Sequence, residues 1–98
     1  MRRLIIREEA EQDIRAAMLW YRTQKPGLEQ EFLEALDEVL GFLLEKQRRV
    51  QRVKGRIMTF PMERFPYSII HASSKDELLV IRVYHQKRDP RKRFRKRG

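Results

Sequence analysis

The chain has 98 residues, no cysteine and a formal net charge of +9, from 23 Lys and Arg against 14 Asp and Glu. This length suits one domain, and the absence of cysteine excludes disulfides and thiolate chemistry, which fits a reducing cytoplasm. No apolar run approaches the roughly 20 residues of a membrane span. The apolar run at residues 4–6 is also far shorter than the core of about 7–15 residues in a signal peptide.

The first half of the chain predicts a short strand followed by two helices. Residues 4–6 form the strand, and apolar residues from Ala10 to Tyr21 then recur at helical spacing. Several acids crowd the start of this first helix, where negative charge is favourable. Pro26 and Gly27 end it, and a second apolar stripe follows over residues 28–43. The two amphipathic segments therefore predict a helical hairpin.

The second half changes to strand periodicity. Strands are predicted over residues 56–60, 65–71 and 78–84, separated by Pro61 and by the polar residues 73–76. The last strand is apolar on both alternating faces, which is typical of an interior strand. The order β-α-α-β-β-β predicts an α+β fold, with the hairpin on one face of a mainly antiparallel four-stranded sheet. This domain is expected to cover residues 1–86, with a basic extension over residues 87–98.

Positive charge is concentrated in that basic extension. It holds eight Lys or Arg against one acid, Asp89, and so carries +7 of the net charge of +9. Such a segment attracts polyanions or an acidic protein over long distances. Phe94 lies inside the cationic run and suits an anchor on a partner or on the chain itself. A second basic run, residues 46–56, is either a phosphate-binding patch or a solvated loop.

The aromatic and histidine residues each have two interpretations. Trp20 and Tyr21 could stack on nucleobases, but packing at the base of the hairpin is the simpler expectation. His85 is either a proton-transfer group or a strand-end residue that hydrogen-bonds to a neighbour. His71 and His85 have no clustered carboxylates, so we expect no metal site and no cofactor.

Four strings of residues, in order, resemble the RelE/ParE superfamily of toxins from bacterial type II toxin–antitoxin systems. They are Trp20-Tyr21, PGLEQEFL at residues 26–33, RFPYSIIH at residues 64–71 and VYHQKRDPR at residues 83–91. The similarity covers about residues 3–94 and is greatest to the ParE-like, or plasmid stabilisation, members. It implies a small toxin that a cognate antitoxin neutralises.

The superfamily contains two activities. RelE-like members are ribosome-dependent mRNA endoribonucleases, which need groups that transfer protons and stabilise the phosphorane. For that activity the resemblance implies catalytic roles for Arg56, Arg64, His85 and Arg88. However, Phe94 and Gln86 stand where two groups of these nucleases have a tyrosine. These departures favour a ParE-like toxin, a class associated with poisoning DNA gyrase.

The preferred hypothesis is therefore stoichiometric binding to DNA gyrase or another topoisomerase, without turnover. The predicted contact residues are Tyr84, His85, Lys87, Arg88, Arg91, Lys92, Arg93 and Phe94. The first alternative is the endoribonuclease, whose partners are the ribosome and mRNA. The second is a non-toxic basic module that binds nucleic acid. The expected protein partner is the antitoxin, and neither a membrane nor a small-molecule cofactor is expected.

Overall fold

The predicted order of helices and strands is present in a computed structural model, which describes residues 2–46 and 57–88. Strand β1 (Arg3–Ile6) precedes helices α1 (Glu8–Gln24) and α2 (Leu28–Lys46). Strands β2 (Ile57–Pro61), β3 (Tyr67–Ser73) and β4 (Glu77–His85) follow, and a 3-10 turn spans Gln86–Arg88. The α+β prediction is confirmed.

Two borders differ from the prediction because of local backbone geometry. Strand β3 begins at Tyr67, and not at Phe65, because Pro66 has no N–H and the Tyr67 N–H donates to the Phe65 carbonyl at 2.8 Å. Strand β2 includes Pro61 as its last residue, whereas the prediction ended the strand at Phe60. Because β2 pairs only with β3, Pro61 lies on a strand that is at the sheet edge in the described residues, where a missing donor is tolerated.

Within the described residues, the four strands form one sheet in the order β1-β4-β3-β2. Strand β1 runs parallel to β4, and the other two pairs are antiparallel. A parallel pair needs a long connection between its two strands. Here the helical hairpin is the first part of the connection from β1 to β4. Strand β4 lies between β1 and β3, as its apolar composition predicts. The hairpin turns at Gly27, whose φ of +98° lies in the region that glycine adopts most readily.

The core lies between the hairpin and one face of the sheet. At its centre, the rings of Tyr21, Phe32, Phe65 and Tyr67 contact one another, with centroid separations of 5.0 Å for Tyr21–Phe65 and 5.3 Å for Phe32–Tyr67. Phe32 is fully buried. Offset and edge-to-face ring pairs of this kind add to the free energy gained by burying their area. This cluster fixes the hairpin on β3 and therefore fixes α1 beside β4.

Arg2 joins the end of α2 to the turn between β3 and β4. Its guanidinium donates to the carbonyls of Leu43 at 3.0 Å and Leu44 at 3.2 Å. It also donates to the Ser73 hydroxyl at 2.8 Å and the Ser74 carbonyl at 2.9 Å. A cation at this position satisfies carbonyls that lack partners inside the helix and complements the helix dipole.

His71 is buried on the helix-facing side of β3, with 2% of its surface exposed. Its Nδ1 lies 3.1 Å from the Ile69 carbonyl oxygen. Burial lowers the pKa of His71, and the charge of Arg2 acts in the same direction, against the hydrogen bond to Ile69. The folded chain therefore takes up a proton on His71 at a lower pH than the unfolded chain does.

We expect the free energy of unfolding to fall as the pH drops below about 6.5, the ordinary pKa of histidine. Above that pH both states hold a neutral His71, so its contribution is constant. Below it the unfolded state binds the proton first, and the slope rises to at most about 1.4 kcal/mol per pH unit. Urea unfolding at several pH values measures this slope. His71→Leu should reduce it, and an unchanged slope in that variant would contradict the assignment.

Candidate interface at the end of strand β4

Strand β4 changes its register with β3 partway along its length. Ile70 lies opposite Arg82 while His71 lies opposite Val80, so Ile81 has no partner on β3. A β-bulge of this kind shifts the alternation of side chains by one position. Leu78 and Val80 are buried before the bulge, and Val83 is buried after it. The bulge therefore turns the last part of β4 relative to the first.

Strand β1 ends before this part of β4. The last pair between them is Ile6 with Val80, so beyond that point no described strand lies on this side of β4, while β3 continues along the other side. The N–H of Val83 faces this edge and donates to Asp13 Oδ2 at 2.9 Å. A carboxylate on α1 thus takes the place of a neighbouring strand and satisfies a backbone group at an edge.

Asp13 also pairs with Arg82 through two hydrogen bonds. The Nε of Arg82 donates to Oδ2 at 2.8 Å, and its Nη2 donates to Oδ1 at 3.0 Å. The Nη1 of Arg82 donates to the Tyr84 hydroxyl at 2.7 Å. The hydrogen bonds that Arg82 donates to Asp13 raise the pKa of Arg82 above its ordinary value. The guanidinium stays charged, its charge is balanced by Asp13, and it holds the Tyr84 side chain in place.

His85 is the last residue of β4, and its ring lies edge-on to Tyr67 with the centroids 5.2 Å apart. The N–H of Lys87 donates to His85 Nδ1 at 3.2 Å. A nitrogen that accepts a hydrogen bond carries no proton, so in the neutral ring this bond places the proton on Nε2. His85 thus makes the kind of strand-end hydrogen bond that one of its two interpretations predicts.

A cavity of about 410 Å³ separates α1 from the end of β4, and we call it the α1–β4 cavity. Ala16, Ala17 and Trp20 line it on the helix, and Tyr84 and His85 line it on the strand. Trp20 is 57% exposed, so the expectation that it packs in the hairpin is wrong. Successive helical residues point about 100° apart, and the neighbouring Tyr21 takes the position that faces the core.

Two of the residues implied for RNA cleavage, Arg64 and His85, line different cavities. Arg64 forms an ion pair with Glu31 at 3.2 Å and lines a groove of about 490 Å³ between α2 and β2. His85 lines the α1–β4 cavity instead. Arg88 is in the 3-10 turn that follows His85, and Arg56 lies outside the described residues.

The remaining predicted contact residues lie in the 3-10 turn or after it in the chain. Lys87 is exposed at this turn. Arg91, Lys92, Arg93 and Phe94 lie outside the described residues, as does the basic run after Lys46. The roles of these residues, and of the basic extension as a separate unit, stay predictions. The 3-10 turn spans the expected domain border at residues 86 and 87.

The described residues, 2–46 and 57–88, contain neither a metal-binding cluster nor a membrane-spanning helix. No group of three or more histidine or carboxylate side chains there could hold a metal ion. No helix there combines the length and the apolar composition needed to cross a bilayer.

Comparisons with known proteins agree with this fold. The family model of the ParE toxin of the type II toxin–antitoxin system, parDE, matches residues 4–90. Among solved structures, the chain is similar to the chromosomal ParDE toxin–antitoxin system from P. aeruginosa, with a TM-score of 0.71 and 20% sequence identity. That match covers 87% of this chain and 96% of the other, which shows a shared fold. No curated protein matches the sequence at a significant level.

Proposed function

The chain belongs to the ParE toxin family of type II toxin–antitoxin systems, and from this premise we propose that it inhibits growth by binding DNA gyrase or a related topoisomerase. The proposed binding is stoichiometric and takes place in the bacterial cytoplasm. A cognate antitoxin neutralises the toxin, and together the pair serves plasmid stabilisation.

The ion pair of Arg64 with Glu31 is the observation that supports binding over RNA cleavage. A nuclease needs its acid, its base and its charge-stabilising groups around one phosphate. Arg64 is paired with Glu31 beside α2, whereas His85 lines the α1–β4 cavity. Gln86, which follows His85, cannot transfer a proton near neutral pH.

The end of β4 is the proposed contact surface for the target. Tyr84 is fixed by Arg82, and Lys87 is exposed just beyond the sheet. Because Asp13 balances the charge of Arg82, the attraction of a polyanion falls to Lys87 and to the cations that follow. We propose that Arg88, Arg91, Lys92, Arg93 and Phe94 complete this surface.

The antitoxin is proposed to bind as a segment that is disordered alone and that orders along a sheet edge or the helical hairpin. The groove between α2 and β2 suits such a segment because Phe42 is 46% exposed there beside Phe60, with their ring centroids 5.5 Å apart. Exposed aromatic residues in a groove are typical of protein interfaces.

A charge reversal at the 3-10 turn tests the proposed target. Lys87→Glu combined with Arg88→Glu should raise the toxin concentration that inhibits gyrase supercoiling of a relaxed plasmid at least about tenfold, which corresponds to about 1.4 kcal/mol. Arg22→Glu combined with Lys25→Glu makes the same change of charge at the end of α1 and should leave inhibition near the wild-type level. Equal inhibition by both variants would contradict the assigned surface.

Messenger RNA from the same induced cultures tests the alternative activity. We expect intact ribosome-bound message in primer extension while plasmid supercoiling changes. Cleavage that disappears in a His85→Ala variant would replace the binding mechanism with the endoribonuclease. Harmless expression together with binding to random DNA would instead indicate a non-toxic nucleic-acid-binding module.

A further inference from the structure

The groove of about 490 Å³ between α2 and β2, which we call the α2–β2 groove, has an apolar floor. Ala35 and Met62 are buried in its lining, and Val39 is half-buried. The rings of Phe42 and Phe60 lie beside them with their centroids 5.5 Å apart, and Phe42 is 46% exposed. A groove that combines an apolar floor with a half-exposed aromatic ring is suited to an apolar side chain of a protein partner.

Two carboxylates line the same groove without a described cation that balances them. Glu38 on α2 and Glu63 after β2 are both exposed, and neither forms an ion pair with another residue in the ranges 2–46 and 57–88. Arg64, the one cation in the described lining, is already paired with Glu31 at 3.2 Å. The lining therefore carries negative charge beside its apolar floor.

Helix α2 as a whole is acidic, in contrast to the rest of the chain. It holds six Asp or Glu against one base, Lys46, whereas the chain has a net charge of +9. The net charge attracts an acidic segment over long distances, but the carboxylates of the α2–β2 groove repel such a segment at contact. At this groove the local charge is complementary to a basic segment.

We propose that the α2–β2 groove binds a segment of the antitoxin in which an apolar or aromatic side chain is flanked by Lys or Arg. The apolar side chain packs on the rings of Phe42 and Phe60, and the flanking cations contact Glu38 and Glu63. This inference rests on the antitoxin of the proposed function and specifies the chemistry of its segment. That segment is basic at the α2–β2 groove, although the toxin itself has a basic net charge.

Selection from a library of random short peptides displayed on phage tests this chemistry, because it requires no knowledge of the antitoxin sequence. The full-length chain is the target, and the Phe42→Ala variant serves for counter-selection. Peptides that bind the wild type but not Phe42→Ala should combine an aromatic or large apolar residue with an excess of Lys and Arg. Selected peptides that are neutral or acidic would overturn the proposal, and so would the absence of any peptide that depends on Phe42.

Two pairs of substitutions on the full-length chain show whether the carboxylates of the groove act directly. The affinity of a labelled selected peptide is measured by fluorescence anisotropy. Glu38→Gln combined with Glu63→Gln should weaken binding about 2- to 30-fold, the range expected for loss of two exposed ion pairs. Glu34→Gln combined with Asp37→Asn is the matched control, because both residues are exposed on α2 but do not line the groove.

The control pair removes the same charge and should weaken binding less than about twofold, since water and salt screen charges that do not touch the peptide. Equal weakening by the two pairs would overturn the proposed contacts with Glu38 and Glu63. Circular dichroism of each variant confirms that it is folded. If Phe42→Ala is not folded, the two charge pairs keep the proposal falsifiable.

Two other occupants of the groove would also overturn the proposal. A synthetic peptide with the sequence of residues 87–98 that displaces the labelled peptide better than any selected peptide would assign the groove to the basic extension. Dimerisation in sedimentation velocity that Phe42→Ala abolishes would assign it to a second copy of the chain.

Inhibition of gyrase supercoiling by the wild type is measured separately from peptide binding. A chain that inhibits gyrase but selects acidic peptides at the groove would refute this inference alone. A chain that selects basic peptides but does not inhibit gyrase would refute only the proposed target.

Discussion

Phe32→Ala should lower the free energy of unfolding by about 3–5 kcal/mol, the largest effect expected of a single core substitution in this chain. The Phe32 side chain is fully buried and lies 5.3 Å from Phe65 and 5.5 Å from Tyr21 between ring centroids. Its removal leaves a cavity and breaks several ring pairs at once. The total stability of such a domain is only about 5–15 kcal/mol, so a large fraction is lost.

Phe42→Ala on the same helix is the matched control. Phe42 is 46% exposed, and its described ring contact is with Phe60 at 5.5 Å. We expect a loss of about 1–2 kcal/mol, because only about half of this side chain leaves water when it packs. Urea unfolding followed by circular dichroism measures both variants. Similar losses for Phe32→Ala and Phe42→Ala would mean that the ring cluster is not the centre of the core.

The fold was predictable because the hydrophobic pattern of each segment agrees with one secondary structure. Helical spacing from Ala10 to Tyr21, the Pro26-Gly27 break and the apolar run that became β4 each exclude the competing assignment. The strand borders beside prolines were less predictable, because local hydrogen bonds determine where each strand begins or ends. The Tyr67 N–H bonds to Phe65 and so delays the start of β3, which no periodicity reveals.

The position of the candidate interface stays a prediction, which rests on the charge of the basic extension and on the strand before it. The construction of the end of β4 could not be predicted from the sequence. The bulge at Ile81 cannot be predicted from the sequence, since it depends on how β4 pairs with β3. Asp13 and Arg82 were missed as a pair, although an arginine inside the apolar segment LLVIRVY indicates that a partner is needed. Trp20 was assigned to packing together with its neighbour Tyr21, although adjacent helical residues point about 100° apart and only Tyr21 lies on the apolar stripe.

Asp13 contributes both to the fold and to the candidate interface, through hydrogen bonds of a single carboxylate. It accepts from the Val83 N–H at the open edge of β4 and from the Arg82 guanidinium that holds Tyr84. The end of β4 is therefore tied to a helical residue that precedes Val83 by 70 positions in the chain. Loss of Asp13 should affect stability and the geometry of the α1–β4 cavity at the same time.

Asp13→Ala should lower the free energy of unfolding by about 2–4 kcal/mol. Three hydrogen bonds lose their acceptor, at 2.8 Å, 3.0 Å and 2.9 Å. The Val83 N–H is left without this partner, and the partly buried Arg82 loses the group that balances its charge. Asp13→Asn keeps the shape and one carbonyl acceptor, so its loss should be intermediate. Urea unfolding at neutral pH measures both.

A double-mutant cycle separates the ion pair from the other roles of Asp13. For Asp13 and Arg82 we expect a coupling energy of about 1.5–3 kcal/mol, because their side chains are only 16% and 33% exposed. Arg3 and Glu77 form an equally close pair at 2.7 Å, but their side chains are 72% and 38% exposed. Solvent screening should reduce that coupling to below about 1 kcal/mol. Equal coupling in the two cycles would show that burial does not strengthen the Asp13–Arg82 pair, and the cost of Asp13→Ala would then come from the uncovered edge of β4.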